Sequence, residues 1–291
     1  MSTQTTNIPE LLDNVRVLMA TVDEDSVHPN QMMDTIALVG APGTAKTYTA
    51  THSFRELWAK QNNCAIDEVA LIVCRCAGRD PVEFNGMGVP QKADVFDRQD
   101  FAGRLSTQNT IPDLLIEIES ARQGQHPSTN GKKAACVLLV LDEALQADAS
   151  VQKTLSSMLY RNENTLGGFD LGPNICVVVT GNRSQDKAGA TKMLSMNRDR
   201  VAFFEMEGYT PDTIKSAIQH YTKQGMNPIM VRYVETHMDS APWDGVMEAD
   251  RSHMTFRSFF MTAKTIETYM RINKTVELSE GFTKTIAAKI G

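Results

Sequence analysis

A short apolar run, Thr35-Ile36-Ala37-Leu38-Val39, leads straight into Gly40-Ala41-Pro42-Gly43-Thr44-Ala45-Lys46-Thr47 and then into the helix-forming stretch Tyr48–Phe54. Few folds accommodate a strand, a glycine-rich turn and a helix opening at Lys-Thr in direct succession. That order is the context a phosphate-cradling loop requires. Glycines let backbone N–H groups converge on an anion, and the helix N-terminus adds its positive end. The nucleotide-binding set is therefore Gly40, Ala41, Pro42, Gly43, Thr44, Ala45, Lys46, Thr47 and Tyr48. Lys46 would reach the β- and γ-phosphates of ATP, and Thr47 would offer its hydroxyl to Mg2+. Ala45 stands where the usual pattern has glycine; alanine fits there provided its φ is negative. The competing account is a plain Gly/Pro turn that happens to contain Lys-Thr.

Two further apolar runs weigh against that account. Cys136-Val137-Leu138-Leu139-Val140-Leu141 has no polar interruption and ends in Asp142-Glu143. Such a run suits a parallel strand buried on both faces, and acids at its carboxyl end sit where open α/β sheets bind ligands. Asp142 would help hold Mg2+, and Glu143 would polarise the attacking water. Ile175-Cys176-Val177-Val178-Val179 ends in Thr180-Gly181-Asn182-Arg183. Asn182 could orient the same water, or Gly181 and Asn182 could simply form a turn.

Strands are also expected at 69–74 and 201–206, and helices at 8–19, 46–60, 111–122 and 149–161. After Thr210-Pro211-Asp212, a helix start with proline in the first turn, only helices are expected, near 211–224, 228–238, 255–272 and 279–289. Alternating elements followed by helices alone imply an α/β parallel sheet flanked by helices, with a small C-terminal helical lid domain. The expected divisions are an N-terminal helical and linker segment at 1–30, an α/β core at 31–208 and the lid at 209–291. Three glycines and two prolines between Gly78 and Pro90 imply loops. Residues 77–109 form an inserted surface element, either decorative or facing the centre of a ring with Phe84 or Met87 exposed to a substrate.

The 291-residue chain carries 29 basic and 35 acidic residues, a net charge of −6. That sign does not favour nucleic acid as the main partner. No segment approaches the ~18 apolar residues of a membrane span. The polar Met1–Glu10 stretch has no basic-then-apolar signal region, so a cytoplasmic setting is expected. The five cysteines, at 64, 74, 76, 136 and 176, lack metal-ligand spacing and are expected as buried, reduced thiols.

Together these residues resemble an AAA+ ATPase, and within that superfamily the MoxR-like branch, particularly forms encoded by tailed bacteriophages. The likeness covers roughly residues 35–270. It rests on the loop with alanine before lysine, Leu141-Asp142-Glu143-Ala144, Val151-Gln152, Leu166-Gly167-Gly168-Phe169-Asp170-Leu171, Val179–Arg183 and Asp186-Lys187-Ala188-Gly189-Ala190. The resemblance implies that Lys46 and Thr47 are the Walker A pair, Asp142 and Glu143 the Walker B pair, and Asn182 sensor 1. It places an arginine acting on the neighbouring subunit's γ-phosphate at Arg200, with Arg198 as the backup, and the lid arginine of sensor 2 at Arg257. Phe256 precedes Arg257 where the family often has proline.

The implied protein is a homo-oligomer, a ring most often hexameric in this superfamily, that couples ATP hydrolysis to remodelling of a partner macromolecule, a protein in first place. A von Willebrand factor A-type partner would be a separate chain. The alternative is a nucleic-acid motor or loader in phage DNA metabolism. A module that binds ATP without turnover would need neither Glu143 nor Asn182, and a P-loop kinase fits the three polar strand ends less well.

Overall fold

The computed structural model describes residues 5–22, 28, 31–92, 105–160, 163–183, 194–208, 211–223, 225–236, 255–275 and 277–290. In chain order the elements are β1 (Thr5–Thr6), α1 (Ile8–Ala20), β2 (Thr35–Gly40), α2 (Lys46–Thr51), α3 (Ser53–Gln61), β3 (Val69–Arg75), α4 (Val82–Asn85), β4 (Gly88–Lys92), β5 (Leu105–Asn109), α5 (Asp113–Arg122) and β6 (Cys136–Asp142). They continue with α6 (Ala149–Thr154), α7 (Ser156–Leu159), β7 (Thr165–Leu166), β8 (Phe169–Asp170), β9 (Ile175–Asn182), α8 (Ser195–Arg198), β10 (Val201–Met206), α9 (Pro211–Lys223), α10 (Pro228–Thr236), α11 (Phe256–Asn273) and α12 (Glu280–Ile290).

Six strands form one parallel sheet in the order β1-β10-β2-β9-β6-β3. All seven residues of β6 are buried, because helices cover both faces of the sheet. Leu138 and Val140 face Leu11, Phe54 and Trp58 of α1 and α3. Their neighbours Leu139 and Leu141 face Leu115 and Ile118 of α5 and Val151 of α6. That alternation is the two-residue period of a strand. The helices after Pro211 bury a separate cluster that includes Ile214, Val234, Phe259 and Phe260. The architecture is the expected α/β P-loop sheet flanked by helices. Among the described residues no helix is long and apolar enough to cross a membrane.

Sheet order places the three polar strand ends side by side. β9 lies between β2 and β6, with Gly40 opposite Asn182 and Leu141 opposite Val179. Three chain segments far apart in sequence therefore converge on one edge of the sheet, at its carboxyl end.

Several expectations need correction. Residues 77–109 are not simply loops: they contain α4 and the β4–β5 hairpin. Phe84 is 1% exposed and belongs to the main core, so it is not available to a substrate. The Asp80 carboxylate accepts from Val82 N–H, and Glu83 accepts from Asp80 N–H, starting a helical turn that carries Phe84 inward. Met87 is exposed, as expected. The helix expected at 46–60 is broken at His52, and the one at 149–161 at Leu155. Gly181 and Asn182 lie within β9, not in a turn. The Gly167-Gly168 pair turns a short hairpin, β7–β8. Residues 5–20 are built into the core: β1 extends the sheet beside β10, and Leu11, Val15 and Met19 of α1 are buried. The stretches 186–190 and 237–238, together with the Arg257 side chain, lie outside the described residues.

Candidate active site

The loop between β2 and α2 closes around its own lysine. Lys46 is buried, and its Nζ donates to Gly40 O at 3.0 Å and Ala41 O at 2.7 Å. Thr44 Oγ1 donates to Ala41 O at 2.8 Å, which tightens the turn. Two residues of the loop adopt positive φ, Gly43 at 81° and Ala45 at 62°. The negative φ expected for Ala45 is therefore wrong. The chain must reverse sharply to start α2 at Lys46, and the left-handed conformation does this even though a Cβ there is unfavourable by ~1–2 kcal/mol. Tyr48, half-exposed, stacks on His52 with ring centroids 4.1 Å apart.

Asp142 is the hub of the site. Its side chain is almost fully buried, and its Oδ1 accepts from Thr47 Oγ1 at 2.8 Å and from Thr180 Oγ1 at 2.6 Å. Thr180 Oγ1 in turn accepts from Glu143 N–H at 3.2 Å. One threonine thus fixes both acids, one through its side chain and the next through its backbone. Glu143 itself has φ 56°. Ala45 precedes Lys46 and Glu143 follows Asp142, so both ends of the Thr47–Asp142 contact adjoin a residue in the left-handed region. Arg75, at the end of β3 and opposite Asp142 in the sheet, brings its Nε to 3.4 Å from Glu143 Oε2.

Asn182 ends β9 across from Gly40, on the same edge as the acids. Gly181 before it is required by packing: a Cβ there would come within 2.4 Å of the Leu145 side chain. The turn after Glu143 therefore rests directly on β9.

The arginines are placed differently from one another. Arg200 donates through Nη1 to Ser156 O at 2.9 Å and also to Ser156 Oγ, and its guanidinium lies 4.9 Å from the Tyr160 ring centroid. Arg198, at the end of α8, is exposed, with its guanidinium 6.0 Å from the Phe203 ring centroid.

The structure thus brings together Lys46, Thr47, Asp142, Glu143 and Asn182, while Arg198 ends α8 and Arg200 lies in the turn from α8 into β10. Sequence reading missed Thr180 and Arg75. The only signal for Thr180 was a polar residue closing a buried apolar run. Arg75 carried no signal until β3 and β6 were known to be neighbours.

Burial matches expectation at four of the five cysteines and not at Cys64. All five are free, four are buried, and Cys64 is half-buried with its sulfur 3.9 Å from that of Cys136. Burial pushes both of those thiols up. The Cys76 thiol is pushed up by its hydrogen bond with Cys74 and by burial. Such thiols stay protonated and unreactive at neutral pH. Among the described residues no group of three or more His, Cys, Asp or Glu side chains could hold a metal ion by itself.

An oxygen donor set is nevertheless present. Hydroxyls of Thr47 and Thr180 around a buried carboxylate are hard ligands of the kind Mg2+ takes, usually together with waters and substrate phosphates. The residues fit that ion.

No family model matches the chain, and no curated protein sequence matches it. Among solved structures, the Aeropyrum pernix ORC1 protein in complex with DNA is similar over 96% of this chain and 64% of its own, with 12% identity and a TM-score of 0.48. NtrX from Brucella abortus is similar over 95% of this chain and 54% of its own, with 12% identity and a TM-score of 0.47. A Thermotoga maritima RuvB mutant is similar over 87% of this chain and 61% of its own, with 14% identity and a TM-score of 0.43. The chain thus spans less than two thirds of the length of each of these three.

Proposed function

We propose that this chain is a Mg2+-dependent ATPase of the AAA+ type, MoxR-like, working as a homo-oligomeric ring that remodels a partner macromolecule, a protein in first place. The observation that carries the ATPase reading is the convergence of Thr47 Oγ1 and Thr180 Oγ1 on one buried carboxylate oxygen of Asp142, at the mouth of a loop whose lysine is already inside it.

The chemistry follows from those positions. Lys46 exchanges its two loop carbonyls for phosphate oxygens when ATP enters, a stronger charge-assisted contact. Thr47 and Asp142 would hold Mg2+, whose chemistry there would be to offset phosphate charge. Glu143 takes a proton from a water whose oxygen attacks the γ-phosphorus; the bridging P–O bond breaks, and ADP and phosphate leave. Asn182 orients that water from the adjacent strand. Arg198, exposed at the end of α8, is open to a neighbouring subunit, and Arg200 beside it is held by Ser156 and the Tyr160 ring; the exposure of Arg198 supports a role toward that neighbour. Arg257 is proposed as the lid residue that closes on the nucleotide.

The test is ATPase rate against protein concentration for wild type, for Glu143→Gln, and for a mixture of Lys46→Ala with an Arg198→Ala/Arg200→Ala double variant. Specific activity that rises with concentration, disappears in Glu143→Gln and partly returns in the mixture is the expected result. A rate independent of concentration and untouched by the arginine changes would leave a monomeric P-loop enzyme.

A further inference from the structure

We infer that Gln152 is a positioning residue that holds the arginine arm, α8 and the residues up to β10, in place relative to the Walker B acids. The inference rests on the proposed action of that arm toward a neighbouring subunit.

The arm cannot hold itself. α8 is four residues long, and a single helical turn has no stability of its own in water. What fixes it comes from α6. Gln152 is 4% exposed, and both ends of its amide are used. Its Nε2 donates to Ala147 O at 3.1 Å, and its Oε1 accepts from Leu194 N–H, just ahead of α8, at 3.1 Å. Its backbone carbonyl accepts from Asn197 Nδ2 at 2.9 Å. Asn197 is 1% exposed and sits between the arm's anchor and its exposed tip, Arg198.

The other end of the tie leads to the acids. Ala147 follows the turn of residues 144–146, which begins directly after Glu143, and Leu145 in that turn leans on Gly181. From Glu143 to Arg198 the path is therefore one turn, one buried amide and one asparagine. Arg200 adds a second tie through Ser156. A side chain that uses both ends of its amide to join two segments fixes their separation and orientation, which an apolar side chain of equal volume would not.

The experiment uses Gln152→Met, of similar volume without the amide, and Asn197→Ala, which removes a separate bond from the arm to the Gln152 backbone carbonyl that Gln152→Met leaves intact. Binding of a fluorescent ATP analogue is expected to be unchanged in both, while kcat falls by about a hundredfold, the effect of an ångström-scale misplacement. The distinguishing readout is complementation. Lys46→Ala subunits, with intact arms, are expected to restore activity to either variant; Arg198→Ala/Arg200→Ala subunits are not.

Wild-type kcat in Gln152→Met would overturn the inference, as would a loss that Lys46→Ala subunits do not relieve. Should Gln152→Met not fold, Gln152→Glu, which keeps an acceptor for Leu194 N–H and loses the donor to Ala147 O, decides on the same criteria. Full kcat in the Arg198→Ala/Arg200→Ala double variant would instead overturn the trans-arginine reading, and this inference with it.

Discussion

Arg75 Nε lies 3.4 Å from Glu143 Oε2, although 68 positions of chain separate the two residues (143 − 75). The sheet register sets the distance, because β3 and β6 run side by side with Arg75 opposite Asp142. The guanidinium draws the carboxylate toward the outer strand. Both groups are well exposed, so the pair is worth no more than ~1 kcal/mol after solvent screening.

Arg75→Ala is therefore expected to raise basal ATP hydrolysis by up to about fivefold without changing nucleotide affinity. Steady-state phosphate release measures it. An unchanged or lower rate would mean that Arg75 does not restrain Glu143.

Thr180→Val keeps the shape of the side chain and deletes its hydroxyl. Asp142 then loses one of its two donors, and Glu143 N–H loses its acceptor inside the protein. The expected cost is about 1–3 kcal/mol, at roughly 2–4 °C of Tm per kcal/mol for a chain of this size class. Weaker Mg2+-dependent nucleotide binding should accompany it. Thermal unfolding with and without Mg-nucleotide reads both effects, and a Tm equal to wild type would contradict the hydrogen-bond assignment.

Ala45→Gly addresses the strain at φ 62°. Relief of the left-handed Cβ contact is partly offset by the greater freedom of glycine in the unfolded chain, leaving a gain of about 0.5–1 kcal/mol. Ala45→Val should cost stability at the same position. Denaturant midpoints of the two variants are expected to fall on opposite sides of wild type.

The acid limb of stability carries a signature of Asp170. Burial alone would raise its pKa, but the Gly172 N–H, His28 and Asn164 outweigh burial and hold the carboxyl below its ordinary value of 3.8. A folded pKa below the unfolded one gives a contribution fully present above 3.8, which is lost as pH falls through the folded value. Asp170→Asn should therefore be less stable than wild type at neutral pH, with the gap closing below that pH. Parallel unfolding curves at pH 7 and pH 3 check it; a gap of constant size would contradict the shift.

The three strand ends could be read from local sequence. The mainly apolar runs at 35–39, 136–141 and 175–179 read as buried strands, and the polar residues after them are expected at the sheet's carboxyl edge. Lys46-Thr47, Asp142-Glu143 and Asn182 were legible for that reason, since each depends only on its own segment. Which segments become neighbours is a different matter. The partnership of Thr180 with Asp142, the approach of Arg75 to Glu143 and the tie from Gln152 to Leu194 and Asn197 all follow from strand order and helix docking. No local pattern encodes them. The positive φ of Ala45 and the burial of Phe84 belong with these, because a loop's conformation is set by the two elements it must join and by the core that covers it. Short-range periodicity decided what each element is; only the packed sheet decided which side chains meet.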